Sequence, residues 1–356
     1  MVTYRLATEN DYKNINNFHN RIYQNNRTIS QFYWEFHNCP FGKSIYVIAI
    51  DNDKIVGTNC VIPIIVTNSN GDMIKTGKSE DTLVDPEYRG QNIFNNIYEF
   101  LFKECANNGI KIIWGFTSAK KPFQKIGFKT PFDHQQSLIV NSILGSYRYL
   151  SVLNQNNGLK QKTQILALCI LSKLKSLKGE FITVKTKLSI EENIIITDNV
   201  SELIESYSIK NPSLFYIFQN KEFQLWRIYD NPNYHKIHTF GAYDVNKKLV
   251  ALIILNSHPN GVAYVIQSSF DSSVSFSEKT SLLNYTTKSM FKKGITLIRN
   301  WHFDNNQQNK EEIDLFKKAN FLVLKKGISF VWKEIDPIQL NPNNFLLSRI
   351  STQGVI

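Results

Sequence analysis

The strongest constraint on the fold of this 356-residue chain is that one order of predicted secondary structure occurs in it twice. In residues 1–135, β-branched runs alternate with amphipathic stretches in the order strand, hairpin, strand, helix, strand and short helix. Residues 181–335 follow the same order more loosely. The repeat therefore predicts an α/β chain in which one fold is duplicated.

The positive charge of the chain is concentrated between the two repeats. The formal net charge is +11, and residues 141–190 contain eight Lys or Arg against one acidic residue. Nucleic-acid grooves spread their basic residues over a folded face and interleave them with aromatics, so this pattern argues against a nucleic-acid partner. We divide the chain into a first domain (1–140), a basic helical linker (141–180) and a second domain with a C-terminal tail (181–356).

Residues 159–178 of the linker have the pattern of a basic amphipathic helix, because leucines and isoleucines recur among five lysines. Two interpretations remain open. The helix lies on an anionic membrane surface as a peripheral contact. Alternatively, it packs its apolar stripe between the domains and leaves its lysines in water, which is the commoner arrangement.

Several classes of protein are disfavoured by the sequence. The longest apolar run, Ile165–Leu171, is far shorter than the roughly 20 residues of a membrane-spanning helix, and the N-terminus has no secretory signal. The four cysteines lie too far apart for the close pairs of metal or redox sites, so no metal site is predicted. We expect a soluble, cytoplasmic protein whose polar tail, residues 341–356, is either disordered or folded back on a cleft.

One segment, residues 80–94, has the pattern of an anion-binding turn. A short strand ends at Pro86, a tight turn follows, and a helix begins near Asn92. The first amides of a helix have no partners inside it and attract phosphate, while Arg89 adds a positive charge and Gly90 permits close backbone approach. The sequence thus predicts a pyrophosphate site here, with an ordinary β–α turn as the alternative.

The same residues resemble a known family. Val84–Gly90 is similar to the acetyl-CoA-binding motif of the GNAT superfamily of N-acetyltransferases, written Arg/Gln-x-x-Gly-x-Gly/Ala, and Phe123–Phe128 resembles the closing signature of that family. The two motifs stand in the expected order. The resemblance implies two tandem GNAT-like domains (α+β), each a mixed, mostly antiparallel sheet flanked by helices. The second domain would be degenerate, because no Arg-Gly turn precedes its helix.

The resemblance also implies acetyl-CoA as co-substrate, together with the residues that would hold it. Strand residues would pair with the pantetheine arm, and backbone amides would hold the pyrophosphate. The implied set is Leu83, Val84, Arg89, Gly90, Gln91, Asn92, Ile93, Phe94 and Phe123. Asn92 and Phe94 replace small residues of the motif. Phe123 replaces the tyrosine that often protonates the leaving thiolate, so another group or water supplies that proton, or transfer is slow or absent.

The implied chemistry is attack of a neutral amine on a thioester, which needs a base to take the proton of the amine. Glu80 and Asp81 precede the CoA strand and are predicted to point to opposite faces. One of them should therefore face the cleft as the catalytic carboxylate, and Glu80 is preferred. A surface pair near the start of a strand is the alternative.

Three functions remain as alternatives. The first is an N-acetyltransferase that acts on the amine of a small acceptor, such as an amino sugar of surface polysaccharide synthesis. The second is an aminoacyl-tRNA-dependent transferase of the peptidoglycan type, in which the basic middle segment would meet tRNA. The third is a ligand-binding protein that keeps the fold without turnover, which the departures at Asn92, Phe94 and Phe123 would favour. We expect the first.

Overall fold

The structure is a computed structural model that describes residues 1–153, 158–180, 186–208, 213–325, 327–338 and 340–352. The elements up to residue 140 are β1 (Thr3–Leu6), α1 (Tyr12–Tyr23), α2 (Ile29–Phe36), β2 (Ile45–Asp51), β3 (Lys54–Thr67), β4 (Met73–Val84), α3 (Ile93–Asn107), β5 (Ile112–Thr117), α4 (Lys120–Lys125) and β6 (Gln135–Val140). The elements that follow are α5 (Ile143–Leu153), α6 (Leu159–Glu180), β7 (Ser189–Glu192), α7 (Asp198–Ser208), β8 (Phe215–Ile217), α8 (Lys221–Gln224), β9 (Lys236–Tyr243), β10 (Leu249–Ser257), β11 (Val262–Phe270), α9 (Phe276–Lys292), β12 (Leu297–His302), α10 (Gln307–Lys318), β13 (Leu322–Leu324), β14 (Ser329–Glu334) and β15 (Phe345–Leu346).

Turn residues and hydrophobic periodicity in the sequence correctly predict several of these elements. The predicted hairpin is present as β2 and β3, joined by Asn52 and Asp53 with φ of 45° and 63°. Positive φ at both positions is typical of a tight hairpin turn, and Asn and Asp tolerate it better than most residues. The predicted linker helix is also present, as α6. No helix in the described part of the chain is long and apolar enough to cross a membrane.

Two mixed sheets organise the chain. The first has the order β1-β2-β3-β4-β5-β14, with β8 paired to β3 and β15 paired to β8, and the second has the order β13-β6-β12-β11-β10-β9-β7. Along each of these paths one pair is parallel, β4–β5 in the first sheet and β11–β12 in the second. A helix connects the strands of each parallel pair, as a parallel connection requires. The predicted duplication of a mixed, mostly antiparallel α/β fold is confirmed.

The two halves of the chain exchange strands. β6 comes from the first half but lies between β13 and β12 of the second sheet, whereas β14 comes from the second half and pairs with β5. The sequence pattern of Leu322–Trp332 predicts one terminal strand, and this prediction is wrong, because β13 and β14 belong to different sheets. The first sheet thus contains strands that follow the predicted domain limit at residue 140, and the second sheet contains β6, which precedes it. The predicted start of the second domain, residue 181, lies outside the described residues.

The sheets pack face to face around a shared core. This core includes Trp114 and Phe330 from the first sheet and Tyr264 from the second. α3 covers the outer face of the first sheet, and α9 and α10 cover the outer face of the second. The tail folds back into the shared core as far as residue 352, with Phe345 and Ile350 each 1% exposed. Of the two alternatives for the tail, folding back is therefore correct for its described part.

Candidate active site

A cleft opens in the first sheet where two neighbouring strands separate. β4 and β5 pair only from Thr76 to Lys78 on β4 and from Ile112 to Trp114 on β5. β4 then continues to Val84, and within the described residues this end does not pair with β5. The space between the diverging strands forms a cavity of about 920 Å³, enough for a large extended ligand.

All the site residues predicted from the sequence except Gln91 line this cavity. They come from the end of β4, the turn after it, the start of α3 and the short helix α4. The lining members are Glu80, Asp81, Leu83, Val84, Arg89, Gly90, Asn92, Ile93, Phe94 and Phe123. Gln91 is exposed at the turn. Residues that are up to 43 positions apart in the sequence are thus brought to one cleft.

The turn after β4 leaves backbone amides available to a ligand. Gly90 and Asn92 have φ of 85° and 60°, a region that glycine and asparagine adopt at low cost. Among the six backbone amides of residues 89–94, those of Arg89 and Gln91 donate hydrogen bonds inside the turn. The amides of Gly90 and of residues 92–94 have no acceptor within the described residues. They lie at the positive end of the α3 dipole, which favours an anion.

A β-bulge in β4 directs the two predicted carboxylates differently. The register of β4 on β3 shifts between Thr58 and Cys60, so Asp81 and Thr82 together oppose one residue. Asp81 has φ of 54° at this bulge. A bulge bends its strand and changes the direction of the side chains beside it. Here it brings the carboxylate of Asp81 against α1 and the segment that follows α1.

The carboxylate of Asp81 is fully engaged in a buried network. Its Oδ1 lies 2.6 Å from Nδ1 of His19, and its Oδ2 lies 3.0 Å from the guanidinium of Arg27 and accepts a hydrogen bond from the hydroxyl of Tyr46. Burial alone would raise the pKa of Asp81, but the hydrogen bond from His19 and the charge of Arg27 outweigh it and lower the pKa to about 2. Asp81 is therefore an ionised structural anchor with no free oxygen for an amine.

Glu80 lines the same cleft, and its carboxylate pairs with a lysine. The side chain of Glu80 is 26% exposed, and one oxygen lies 2.5 Å from the buried Nζ of Lys78. Behind this pair, burial and then the charge of Glu80 raise the pKa of Glu35, on α2, to about 7. Burial also lowers the pKa of Lys78. Two buried groups with shifted pKa values, Glu35 and Lys78, thus interact with Glu80.

Aromatic and hydroxyl side chains form the wall of the cleft below the turn. The ring of Phe94 packs on Tyr98 at 4.9 Å and on Phe123 at 5.5 Å between centroids. The hydroxyl of Tyr98 lies 2.9 Å from Oγ of Ser79 and 3.0 Å from Oγ1 of Thr82, and both of these residues line the cavity. Burial raises the pKa of Tyr98 to about 12, so this group of hydroxyls stays protonated at neutral pH.

Among the residues of the second half that the structure describes, no equivalent of this turn is found. The N-terminus of α9 is closed by its own residues, because Ser275 accepts from the amide of Glu278 while the Glu278 carboxylate accepts from the amide of Ser275. The cavity at the corresponding place, beside Phe270 and Phe276, has about 30 Å³. The N-terminus of α9 is thus capped by its own residues, and the cavity beside it is far smaller than the cleft of the first sheet.

Several residues that shape the site were not predicted from the sequence. Lys78 and Glu35 reach Glu80 from β4 and from α2, Arg27 fixes Asp81, and Tyr98 lies among apolar helix positions. None belongs to a motif, and their roles arise only from contacts between distant segments. Among the described residues, no group of three or more His, Cys, Asp or Glu side chains could hold a metal ion.

One family profile and several solved structures are similar to this chain. The profile of the acetyltransferase (GNAT) domain family matches residues 3–130, and no curated protein matches the sequence. A solved probable N-acyltransferase from Enterococcus faecalis is 8% identical with a TM-score of 0.65, over 94% of this chain and 73% of that one. A tandem GNAT protein from the clavulanic acid biosynthesis pathway is 9% identical with a TM-score of 0.60, over 95% of this chain and 100% of that one.

A third solved structure extends the comparison to a longer acyl group. N-myristoyltransferase of Saccharomyces cerevisiae, solved with bound myristoyl-CoA and inhibitors, is 11% identical with a TM-score of 0.61, over 96% of this chain and 83% of that one. At these identities the solved structures establish the fold of the whole chain, while the family profile covers only residues 3–130, which contain all the predicted site residues. Residues 3–130 therefore resemble the acetyltransferase (GNAT) domain family, and the whole chain shares the fold of a tandem GNAT protein.

Proposed function

We propose that the cleft binds acetyl-CoA and that the protein transfers the acetyl group to the amine of a small acceptor. The observation that carries this proposal is the set of amides at Gly90 and residues 92–94, which open onto the cavity of about 920 Å³ beside Arg89. Such amides and a guanidinium suit a pyrophosphate. The open edge of β4 at Leu83 and Val84 would pair with the amides of the pantetheine arm as an added strand does.

Glu80 is the proposed base. It would take a proton from the attacking amine, directly or through one water, while the nitrogen bonds to the thioester carbonyl carbon. The carbon–sulfur bond then breaks, and the leaving thiolate needs a proton or a hydrogen bond. Because Phe123 has no hydroxyl, we assign the hydrogen bond to the thiolate to the hydroxyls of Ser79 and Thr82. Both of these hydroxyls lie within hydrogen-bond distance of the hydroxyl of Tyr98.

The end of the cleft favours a short acyl group. The space between β4 and β5 closes where the strands pair at Lys78 and Trp114, and these side chains are 3% and 0% exposed. A long acyl chain would have to displace this buried contact. Acetyl is therefore preferred over the myristoyl group of the yeast neighbour, and a CoA-dependent reaction would place the protein in the cytoplasm, where acyl-CoA is made.

The acceptor end of the cleft suits a small polar amine. Glu80 would attract the ammonium form of the acceptor before proton transfer. Tyr23, at the end of α1, is 57% exposed and also lines the cavity. An exposed tyrosine beside a carboxylate can stack on a sugar ring and hydrogen-bond to its hydroxyls. An amino sugar is the acceptor class that we propose to test first.

Calorimetric titration with acetyl-CoA tests the binding step. We expect micromolar binding by the wild type and at least about tenfold weaker binding by Arg89→Glu, because the variant places a negative charge beside the pyrophosphate. Lys103→Glu, on the exposed face of α3 one helical turn after Glu99, changes the net charge equally and should bind like the wild type. No binding by the wild type, or equal loss in both variants, would overturn the proposed site.

Release of free CoA thiol in the presence of amino sugars tests the chemistry. Thr82→Val keeps the shape of the side chain and removes its hydroxyl, so we expect kcat to fall about tenfold while acetyl-CoA affinity stays unchanged. Binding of acetyl-CoA without thiol release for any amine would leave a ligand-binding protein with the GNAT fold, and would contradict the proposed activity.

A further inference from the structure

The helix α6 has an unusual inner face. The side chains that it turns towards the second sheet include Cys169, Ser172 and Ser176, which are small. Ser172 accepts a hydrogen bond from the amide of Val140 at 3.1 Å, and Ser176 donates one to the carbonyl of Val140 at 2.9 Å. β13 pairs with β6 only as far as Leu138 and does not reach Val140. The two serines therefore hydrogen-bond to the N–H and C=O groups of Val140 in place of a neighbouring strand. The inner face thus covers a sheet edge through small hydroxyl side chains.

The outer face of α6 is, by contrast, strongly apolar. Leu166, Ile170, Leu174 and Leu177 follow a spacing of four, four and three residues, which places them on one side of the helix. Leu174 is 56% exposed. The neighbouring helix α5 continues this surface with Leu144 and Val152. We call the whole set the α5–α6 apolar face: Leu144, Val152, Leu153, Leu159, Leu166, Ile170, Leu171, Leu174 and Leu177.

The charged residues of α5 and of α6 as far as Leu177 are all basic. Arg148, Lys160, Lys162 and Lys175 are exposed on the same two helices. No aspartate or glutamate occurs from residue 141 to residue 177. On the helical wheel, Lys162 and Lys175 fall on opposite flanks of the apolar stripe. A soluble surface of this size normally mixes charges of both signs and avoids a continuous apolar patch.

We propose that the α5–α6 apolar face docks on the surface of an anionic phospholipid bilayer. A helix that lies in the plane of a membrane inserts its leucines among the acyl chains and leaves its lysines at the phosphates, which is the distribution seen on α6. The lack of acidic residues from 141 to 177 matches a negative surface, because the lysines on this stretch are attracted to it. An apolar partner protein would explain the leucines but would have no need of a purely cationic border.

This proposal is independent of the proposed acyl transfer. The α5–α6 apolar face shares no residue with the cleft between β4 and β5. Catalysis in solution and attachment to lipid can therefore be measured separately. If both hold, the enzyme works at a membrane surface, and its acceptor is reached from that surface.

Co-sedimentation of the full chain with lipid vesicles tests the proposal. We expect binding to vesicles of equal parts phosphatidylcholine and phosphatidylglycerol, little binding to phosphatidylcholine alone, and weaker binding at high salt. Ile170→Glu with Leu174→Glu should weaken binding at least about tenfold, because two charges would enter the apolar layer. Lys160→Gln with Lys162→Gln should weaken it less and reduce its salt dependence.

Matched controls separate membrane docking from general stickiness and from self-association. Val245→Glu changes an 87%-exposed residue at the β9–β10 turn and should leave vesicle binding unchanged. Circular dichroism should show that the Ile170→Glu, Leu174→Glu variant stays folded. No binding of the wild type to the anionic vesicles, or equal binding by this variant, would overturn the proposal. So would a stable dimer in light scattering that the variant dissociates, since a second copy would then cover the face.

Discussion

At the scale of single residues, Glu80 and Asp81 show how neighbours in sequence acquire different tasks. The sequence predicts two carboxylates on opposite faces, and the bulge at Asp81 adds a change of direction that periodicity alone does not contain. His19 and Arg27 then occupy the oxygens of Asp81, while Glu80 remains at the cleft. The motif thus predicts where Glu80 and Asp81 lie in the fold. Which of the two is held in a buried network depends on contacts from α1 and from the residues that follow it.

Substitution of the two carboxylates should therefore separate stability from turnover. Asp81→Asn leaves the buried charge of Arg27 without its partner, so we expect the free energy of unfolding to fall by about 3–5 kcal/mol. Glu80→Gln keeps an oxygen for Lys78 and should lose far less stability, but its acetyl transfer should fall by about 10²–10⁴ with acetyl-CoA affinity unchanged. Denaturant titration and thiol release measure the two effects. Equal rates for Glu80→Gln and the wild type would refute the assignment of the base.

Glu35 gives the protein a stability that depends on pH. Because the folded protein raises the pKa of Glu35 to about 7, it binds this proton more tightly than the unfolded chain does. The associated stability is present near pH 5 and is lost as the pH rises through about 7. We expect Glu35→Gln, which mimics the protonated form, to gain stability relative to the wild type between pH 5 and pH 8. Glu99→Gln, at a 71%-exposed position, should show no such change.

At the scale of elements, local signals were sufficient where the structure is local and failed where it is not. The Asn52-Asp53 hairpin, the turn at Gly90 and the helix α6 follow from turn chemistry and periodicity. The assignment of β13 and β14 to different sheets does not, because both are short apolar runs whose residue pattern does not indicate a partner strand. The hydroxyl of Tyr98 is similarly invisible in sequence, since its helix position suggests only packing.

The segment before β6 and the segment between β13 and β14 lie against each other, and a substitution at this contact tests the strand exchange. A Cβ on Gly327 would stand 1.9 Å from the carbonyl oxygen of His134, and that neighbour is backbone and cannot turn aside. We expect Gly327→Ala to cost at least about 1–3 kcal/mol in the free energy of unfolding. Gly158→Ala, which meets no atom within 4 Å, should cost only a few tenths. A Gly327→Ala variant as stable as the wild type would show that the two segments do not touch.

At the scale of the whole molecule, the exchange of β6 and β14 joins two domains that the repeated sequence suggests are separate. Trp34 and Trp226 each donate the indole N–H to the other's carbonyl oxygen across the two halves, and their rings stack at 5.5 Å. The tail adds Phe345 to the same core. Separation of the two sheets would expose the apolar side chains of the shared core to water. Removal of an exchanged strand would also leave an unpaired strand edge.

The chain should therefore unfold in one cooperative step, although chains with two domains often unfold in two. We expect guanidinium titrations followed by tryptophan fluorescence and by far-UV circular dichroism to give the same midpoint, because the stacked pair Trp34 and Trp226 lies in the core that both sheets share. Phe345→Ala should lower that common midpoint, at a cost of about 3–5 kcal/mol, without splitting the transition. Two midpoints in the wild type would mean that each half is stable alone, and that the strand exchange contributes little to the cohesion of the molecule.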